Sequence, residues 1–166
     1  MKRRRSFEAG HLRKYLLVVD DSPEVDSALY YAASRVQRST GIITMLYVIE
    51  PQNYMHWVGV RERQIEEETT TAKALFRLFR RKLNQEGFED VVTEEAIREG
   101  PKAEQIVKAI MEDEDIGILV LGAATDVKGP GPLVASLAAG KQAGSFPVPI
   151  TIVPGYLALE DIKSLA

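Results

Sequence analysis

Apolar runs typical of buried strands alternate along the chain with segments of helical periodicity. Tyr15–Asp20 and Ile116–Gly122 are almost continuously apolar, as expected of strands that are covered on both faces. Three more segments have the composition of strands: Ile42–Glu50, Val91–Gly100 and Pro147–Pro154. Because Val91–Gly100 alternates only weakly between apolar and polar residues, we expect it at an edge of the sheet.

The segments between these strands favour helices. Ser22 and Pro23 form a typical helix start, and an apolar stripe follows them: Val25, Leu29, Ala32 and Val36. The longest helix is predicted over about Glu62 to Glu86, with acidic first turns and basic last turns that suit the helix dipole. Its predicted buried seam is Ile65, Ala72, Phe76, Phe79 and Leu83. Shorter helices are predicted after Pro101, around Leu133–Ala139 and over Leu157–Leu165.

This order of strands and helices predicts one α/β domain with a parallel sheet and helices on both faces. The domain is expected over residues 14–155, after a basic arm at 1–13 and before a helical tail at 156–166. Ligands of such sheets bind at the carboxyl ends of the strands. Those ends carry Asp20 and the glycine-rich loop that begins at Gly122.

Composition narrows the classes of function. The 166 residues are 45% hydrophobic and 27% charged, which is typical of a globular domain. No apolar run is long enough to span a membrane and no secretory leader pattern is present, so we expect a cytoplasmic protein. The net charge of −3 makes nucleic acid an unexpected partner. The basic arm is expected to be flexible and solvated.

Two phosphate-loop motifs can be tested directly. The dinucleotide-binding glycine motif should follow the first strand, but Asp20–Pro23 contains no glycine. The segment Ala135–Gln142 approaches the P-loop pattern, with alanine in place of the first glycine and glutamine in place of the magnesium-binding hydroxyl. Because it also lies well beyond the end of a strand, this match is treated as a coincidence.

Catalytic and metal-binding residues are scarce. The chain has two histidines, His11 and His56, and no cysteine, which leaves few nucleophile–base pairs. Asp20 and the adjacent Asp21 offer too few oxygen ligands for a hard cation. The sequence therefore predicts neither an enzyme nor a metal centre. His56, beside Trp57, is either a ligand contact or a packed or solvent-facing ring.

Four segments in fixed order carry a resemblance to a known family. They are VVDDSPE at Val18–Glu24, LYVIEP at Leu46–Pro51, EGPKAEQI at Glu99–Ile106, and the glycine loop before a proline-flanked strand. Over Lys14 to Pro154 the chain resembles the universal stress protein family. The resemblance implies a single-domain open parallel five-stranded sheet with helices on both faces, of the adenine nucleotide alpha hydrolase-like type.

The resemblance also implies a site for ATP or another adenine nucleotide. Nucleotide-binding members carry G-x₂-G-x₉-G-[ST] after the fourth strand, and laid on this chain the motif gives Gly122, Thr125, Ala135 and Ser136. Two of the three glycines are therefore replaced. By the same resemblance, adenosine is recognised by the end of the first strand and by backbone of the second: Val19, Asp20, Ser22 and Val48.

The replacements are unequal in their physical effect. Thr125 is β-branched and resists the positive φ that glycine adopts. Pro130 and Pro132 remove two backbone donors and stiffen the loop. We therefore expect recognition to depend on adenosine more than on the phosphates.

Three functions stay open at this point. The chain is a regulatory stress-response domain that binds a nucleotide, a nucleotide-free dimeric interaction module, or a hydrolase whose catalytic groups do not stand out. A homodimer is expected through Ile150–Val153, which the family's topology puts at an edge of the sheet.

Overall fold

In the computed structural model, which describes residues 3–51 and 58–166, five strands form one parallel sheet. They are β1 (Lys14–Val18), β2 (Ile42–Ile49), β3 (Thr93–Glu99), β4 (Ile116–Ala123) and β5 (Ile150–Pro154). Their order across the sheet is β3-β2-β1-β4-β5, and every neighbouring pair is parallel. The predicted fold is confirmed, and both β3 and β5 lie at edges.

Helices cover both faces of this sheet. The α-helices of the described chain are α1 (Val25–Gln37), α2 (Val58–Gln85), α3 (Lys102–Glu112) and α4 (Leu159–Leu165). A π-helical segment, Val134–Ala138, and a 3₁₀ turn, Ala143–Ser145, lie between β4 and β5. Helices α1 and α2 pack on one face, whereas α3 and the π-helical segment pack on the other.

The hydrophobic core has two layers, one on each side of the sheet. In β1, Leu16 points into the layer under α3 and Leu17 into the layer under α1, and neither side chain is exposed. Burial on both sides is the reason that the strand is continuously apolar rather than alternating. The predicted stripe of α1 is confirmed, since all four of its apolar residues are buried.

The boundaries differ from the predicted ones for local reasons. Strand β5 begins at Ile150 rather than at Pro147, because prolines 147 and 149 have no N–H to give to a ladder. Helix α2 begins at Val58, before the predicted Glu62, and its residue Ile65 is only half-buried. The other members of its predicted seam are buried.

The basic arm is attached to the end of α3. Arg4 Nη1 donates to the carbonyls of Ile110 (2.5 Å), Asp113 (3.2 Å) and Ile116 (3.4 Å). The last carbonyls of a helix have no partner within the helix, and a cation at that end also suits the helix dipole. Arg4 therefore acts as a cap for α3 from a distant part of the sequence.

Two further contacts hold the arm to the segment after α3. The N–H of Arg5 donates to the carbonyl of Glu114 (2.8 Å), and His11 Nδ1 lies 2.7 Å from Asp115 Oδ1. The arm is therefore bonded to the body at these residues, although most of its described residues are exposed. The acidic segment after α3 attracts the basic arm and offers it backbone acceptors.

Removal of the Arg4 cap is expected to destabilise the fold. Arg4→Ala should cost about 1–2 kcal/mol, because three carbonyls lose a charged donor, and should lower the melting temperature by about 2–8 °C for a domain of this size. The matched control is Arg3→Ala, since Arg3 is exposed and lies over the Phe7 ring at 5.2 Å. If calorimetry found equal melting temperatures for both variants, the Arg4 cap would contribute nothing to the stability of the fold.

Candidate functional site

A polar cleft lies at the point where the connections from the sheet change direction. The connection after β1 leads to β2 on one side, and β4 lies on the other side of β1, so the carboxyl ends of β1 and β4 form the topological switch point. A cavity of about 60 Å³ is present there. Asp20, Ser22 and Gly122 line it together with the segment 130–134.

Asp20 is fixed by the turn that joins β1 to α1. Its Oδ1 accepts a hydrogen bond from the Ser22 N–H (2.8 Å) and a second from the Ser22 hydroxyl. An aspartate that bonds two residues ahead stabilises such a turn. Both bonds end on Oδ1, so among the described residues Oδ2 has no bonding partner. This oxygen is available to a donor in the cleft.

The backbone of β2 supplies a second polar surface. The Val19 N–H donates to the Leu46 carbonyl (2.9 Å) just beyond the end of β1. Backbone groups of alternate residues point to the same side of a strand. The N–H and carbonyl of Val48 therefore point toward the space beyond β1. Val48 and Val19 are both buried, and neither is among the residues that line the cavity.

Gly122 is required for packing. A Cβ at this position would overlap the carbonyl oxygen of Glu24, which immediately precedes α1. Gly155 has a related role, since its Cβ would lie 2.5 Å from the Ala123 carbonyl and 2.9 Å from the Glu24 Cβ. The start of α1 thus lies directly against β4 and the end of β5.

The glycine-rich loop folds back into the cleft. The Ala124 N–H donates to the Pro130 carbonyl (3.0 Å), and the following prolines and glycine line the cavity. Gly129 and Gly131 have φ values of +121° and +102°. Thr125 does not, since no described residue other than glycine has a positive φ. The positive φ values of this loop are therefore at Gly129 and Gly131, which are not positions of the family motif.

The remaining motif residues lie outside the cavity. The Ala135 N–H donates to the Gly131 carbonyl (3.1 Å), which makes it unavailable to an anion. Ser136 is exposed and lines a different cavity of about 640 Å³, between α3 and the segment up to Phe146. The structure therefore brings Asp20, Ser22 and Gly122 together and leaves Thr125, Ala135 and Ser136 apart from them.

Two features of the site were missed by sequence reasoning. Lys102, the first residue of α3, lines the cavity and supplies a cation. The Gly-Pro entry to α3 was the available signal for it. On the α2 side, the Tyr47 hydroxyl donates to Glu68 (3.3 Å), and burial raises the pKa of Tyr47 to about 12, with Glu68 adding to the effect. Tyr47 was hidden within an apolar run.

The remaining points concern one connection, membranes and metals. His56 and Trp57, which were predicted as a ligand contact or a packed or solvent-facing pair, lie outside the described residues. Among the described helices, none has both the length and the apolar character that crossing a membrane requires. Residues 3–51 and 58–166 also contain no group of three or more acidic or histidine side chains placed to hold a metal ion.

An open parallel sheet with helices on both faces and a cleft at its switch point defines the α/β class of this protein. Residues 11–154 match the model described as "Universal stress protein family", and the chain belongs to that family. A comparison with curated proteins found no match.

Solved structures support the fold. A universal stress protein from Lactobacillus plantarum is 21% identical with a TM-score of 0.67, over 85% of this chain and 97% of the other. A universal stress protein in complex with cAMP is 17% identical with a TM-score of 0.54, over 86% and 97%. An Arabidopsis thaliana family protein with AMP bound is 15% identical with a TM-score of 0.56, over 86% and 91%.

The packing role of Gly122 can be tested against a second glycine. Gly122→Ala should lower the free energy of unfolding by roughly 1–3 kcal/mol, because the added methyl group displaces the start of α1 from β4. Gly144→Ala is the control, since a Cβ there meets nothing within 4 Å. Urea unfolding of both variants gives the comparison. Equal stability would mean that α1 moves aside without cost.

Proposed function

We propose that this domain binds an adenine nucleotide at the switch-point cleft and holds it mainly by the adenosine. The observation that carries the proposal is the Asp20 carboxylate, which Ser22 fixes with Oδ2 directed to no described partner. The backbone of Val48 is the partner that we expect for an adenine ring, because an N–H and a carbonyl can pair with the ring edge. Oδ2 of Asp20 can accept from a ribose hydroxyl.

Two similar structures support this ligand class. One relative has AMP bound and another is in complex with cAMP, and both ligands carry a single phosphate. A site that relies on adenosine needs few phosphate contacts. We therefore expect AMP and ADP to bind within about tenfold of ATP, a difference of roughly 1.4 kcal/mol.

The loop limits what the phosphate half of the site contributes. The cavity of about 60 Å³ is far smaller than pockets for small ligands, which measure roughly 300–1,000 Å³. A nucleotide must displace the segment 130–132, and the glycines at 129 and 131 are the residues whose backbone can change most easily. Lys102, which lines the cavity 3.9 Å from Glu50, is the cation that we expect to face the bound phosphate. The work of opening the loop lowers the affinity for every nucleotide alike.

Adjacent aspartates provide a matched test of the adenosine half. Asp20→Ala should weaken AMP and ATP by the same factor, at least tenfold, because both share the ribose contact. Asp21→Ala removes the same charge from an exposed side chain and should leave both affinities within twofold of the unchanged protein. Calorimetry on refolded, ligand-free protein measures all six affinities.

Equal loss in both variants would reduce the role of Asp20 to long-range charge. If the unchanged protein bound no adenine nucleotide at millimolar concentration, the site would be a remnant. The second candidate, a nucleotide-free dimeric interaction module, would then be favoured, and the loop that fills the cleft is the observation in its support. Mass spectrometry of ligand released from freshly purified protein separates the two candidates independently.

We further propose a regulatory role in the cytoplasm, in the response to stress, without turnover of the nucleotide. The described lining residues of the cleft include no histidine, and its one hydroxyl–carboxylate pair, Ser22 with Asp20, is part of the turn after β1. Release of phosphate from ATP by the purified protein would instead support the hydrolase.

We also propose a homodimer in which β5 pairs with its counterpart in a second copy. Strand β5 pairs only with β4 among the described strands, so its outer edge offers backbone donors and acceptors. The side chain of Ile152 is exposed at this edge, whereas Val153 is buried under α1. Pro154 ends the strand and limits the length of the pairing.

The two edges of the sheet provide the control for this interface. Ile152→Lys should convert the dimer to a monomer, because the lysine charge would face its copy across the two-fold axis. Val92→Lys puts the same charge beside the β3 edge, where Val92 is exposed, and should leave the dimer intact. Light scattering reports the mass of each variant. A dimer that survives Ile152→Lys would exclude this interface.

A further inference from the structure

A second cavity lies near the amino ends of the strands, away from the switch-point cleft. It measures about 500 Å³, within the range of roughly 300–1,000 Å³ that is typical of small-molecule sites. The arm, α1, β1, β4 and β5 all contribute to its walls. Three arginines and two tyrosines are among its lining residues: Arg4, Arg13, Arg35, Tyr15 and Tyr31. We propose that this cavity binds a small phosphorylated ligand.

The charge of the cavity is the first argument. No carboxylate is among its described lining residues, although three arginines are, and the guanidinium group of one of them, Arg4, bonds to the carbonyls at the end of α3. Neither Arg13 nor Arg35 forms an ion pair with any residue in 3–51 or 58–166. Like charges gathered in one cavity repel each other, and an anion offsets that repulsion. The planar guanidinium group also matches the geometry of phosphate oxygens.

The acidic residues closest in sequence to this wall are already paired. Asp113 bonds to Lys14 Nζ (2.8 Å), and Asp115 bonds to His11 (2.7 Å). The second of these pairs holds the arm to the body, and neither carboxylate pairs with Arg13 or Arg35. The positive charge therefore persists in the folded protein.

The walls bring these arginines from separate elements to one concavity, where Arg13 and Arg35 are themselves exposed. The side chain of Arg13 passes across Gly117 of β4, where its Cγ lies 3.3 Å from the position that a Cβ would take. The absence of a side chain at Gly117 provides the space for it. Arg4 is fixed by the carbonyls at the end of α3, and Tyr15 is 3% exposed and forms a rigid wall. Arg35 reaches the cavity from the last turn of α1.

The shape of the cavity favours a small molecule over a nucleic acid. A nucleic-acid surface follows an extended backbone with a stripe of basic residues. Here the arginines instead converge on one concavity from separate elements, and the chain has a net charge of −3. Phosphate oxygens fit the guanidinium groups, and the tyrosine rings and hydroxyls can contact the organic part of such a ligand.

Inorganic pyrophosphate is a suitable probe of the phosphate contacts. It would be titrated into the full chain by calorimetry and followed by amide NMR shifts, which should concentrate at Tyr15, Gly117 and Thr151. Arg13→Gln with Arg35→Gln should weaken binding at least tenfold. The control, Arg77→Gln with Arg81→Gln, removes the same charge from exposed positions of α2 and should change the affinity by less than twofold. Melting curves verify that both double variants are folded.

Several outcomes would overturn the proposal. Equal weakening in both double variants would indicate general charge attraction. Shifts confined to Asp20 and Gly122 would assign pyrophosphate to the switch-point cleft. If a single-stranded RNA bound through the same arginines and pyrophosphate did not bind, this cavity would be part of a nucleic-acid surface. The AMP affinity of the Arg13/Arg35 double variant should be unchanged, so a failure here is separate from a failure of the adenosine site.

Discussion

The contact between the start of α1 and the backbone of β4 determines the geometry of the cleft. At Gly122 there is no space for a Cβ, because the carbonyl of Glu24 occupies it. A Cβ at Gly155, which follows β5, would likewise come too close to the Glu24 side chain. This contact fixes where α1 leaves the sheet. The turn from Asp20 to Ser22 is the short link between β1 and that fixed helix start. The orientation of the Asp20 carboxylate is therefore a consequence of backbone packing.

The same contact separates the two halves of the candidate site. A glycine at the end of β4 is a signal of phosphate binding only where its backbone faces an open loop. Here Gly122 faces Glu24, and the loop beyond it closes on itself through the bond from Ala124 to Pro130. The adenosine half, by contrast, consists of one carboxylate and strand-end backbone, which depend on the sheet and on the turn from Asp20 to Ser22 and not on the loop. This is the physical reason to assign recognition to the adenosine.

The sequence predicts those parts of the structure that depend on local pattern. Burial of Leu16 and Leu17 on opposite faces of β1 requires an apolar run, and the stripe on α1 has helical spacing. The cap by Arg4 left no local pattern, since its acceptor Ile110 lies 106 residues away. Motif spacing likewise assigned Ser136 to the nucleotide site. In the fold, Ser136 instead lines a separate cavity beside α3. Long-range backbone contacts decide such positions, and a residue pattern does not encode them.

Helix α1 joins the two candidate sites. Its first residue, Val25, lines the switch-point cleft, and Arg35, in its last turn, lines the arginine cavity. Communication between the sites would require α1 to move between two positions. The close contact at Gly122 and Gly155 leaves no clearance for it to move toward the sheet, and its apolar stripe is buried along its length. Because packed interiors resist such displacement, the helix acts as a rigid spacer, and each cavity is shaped by the residues at its own end.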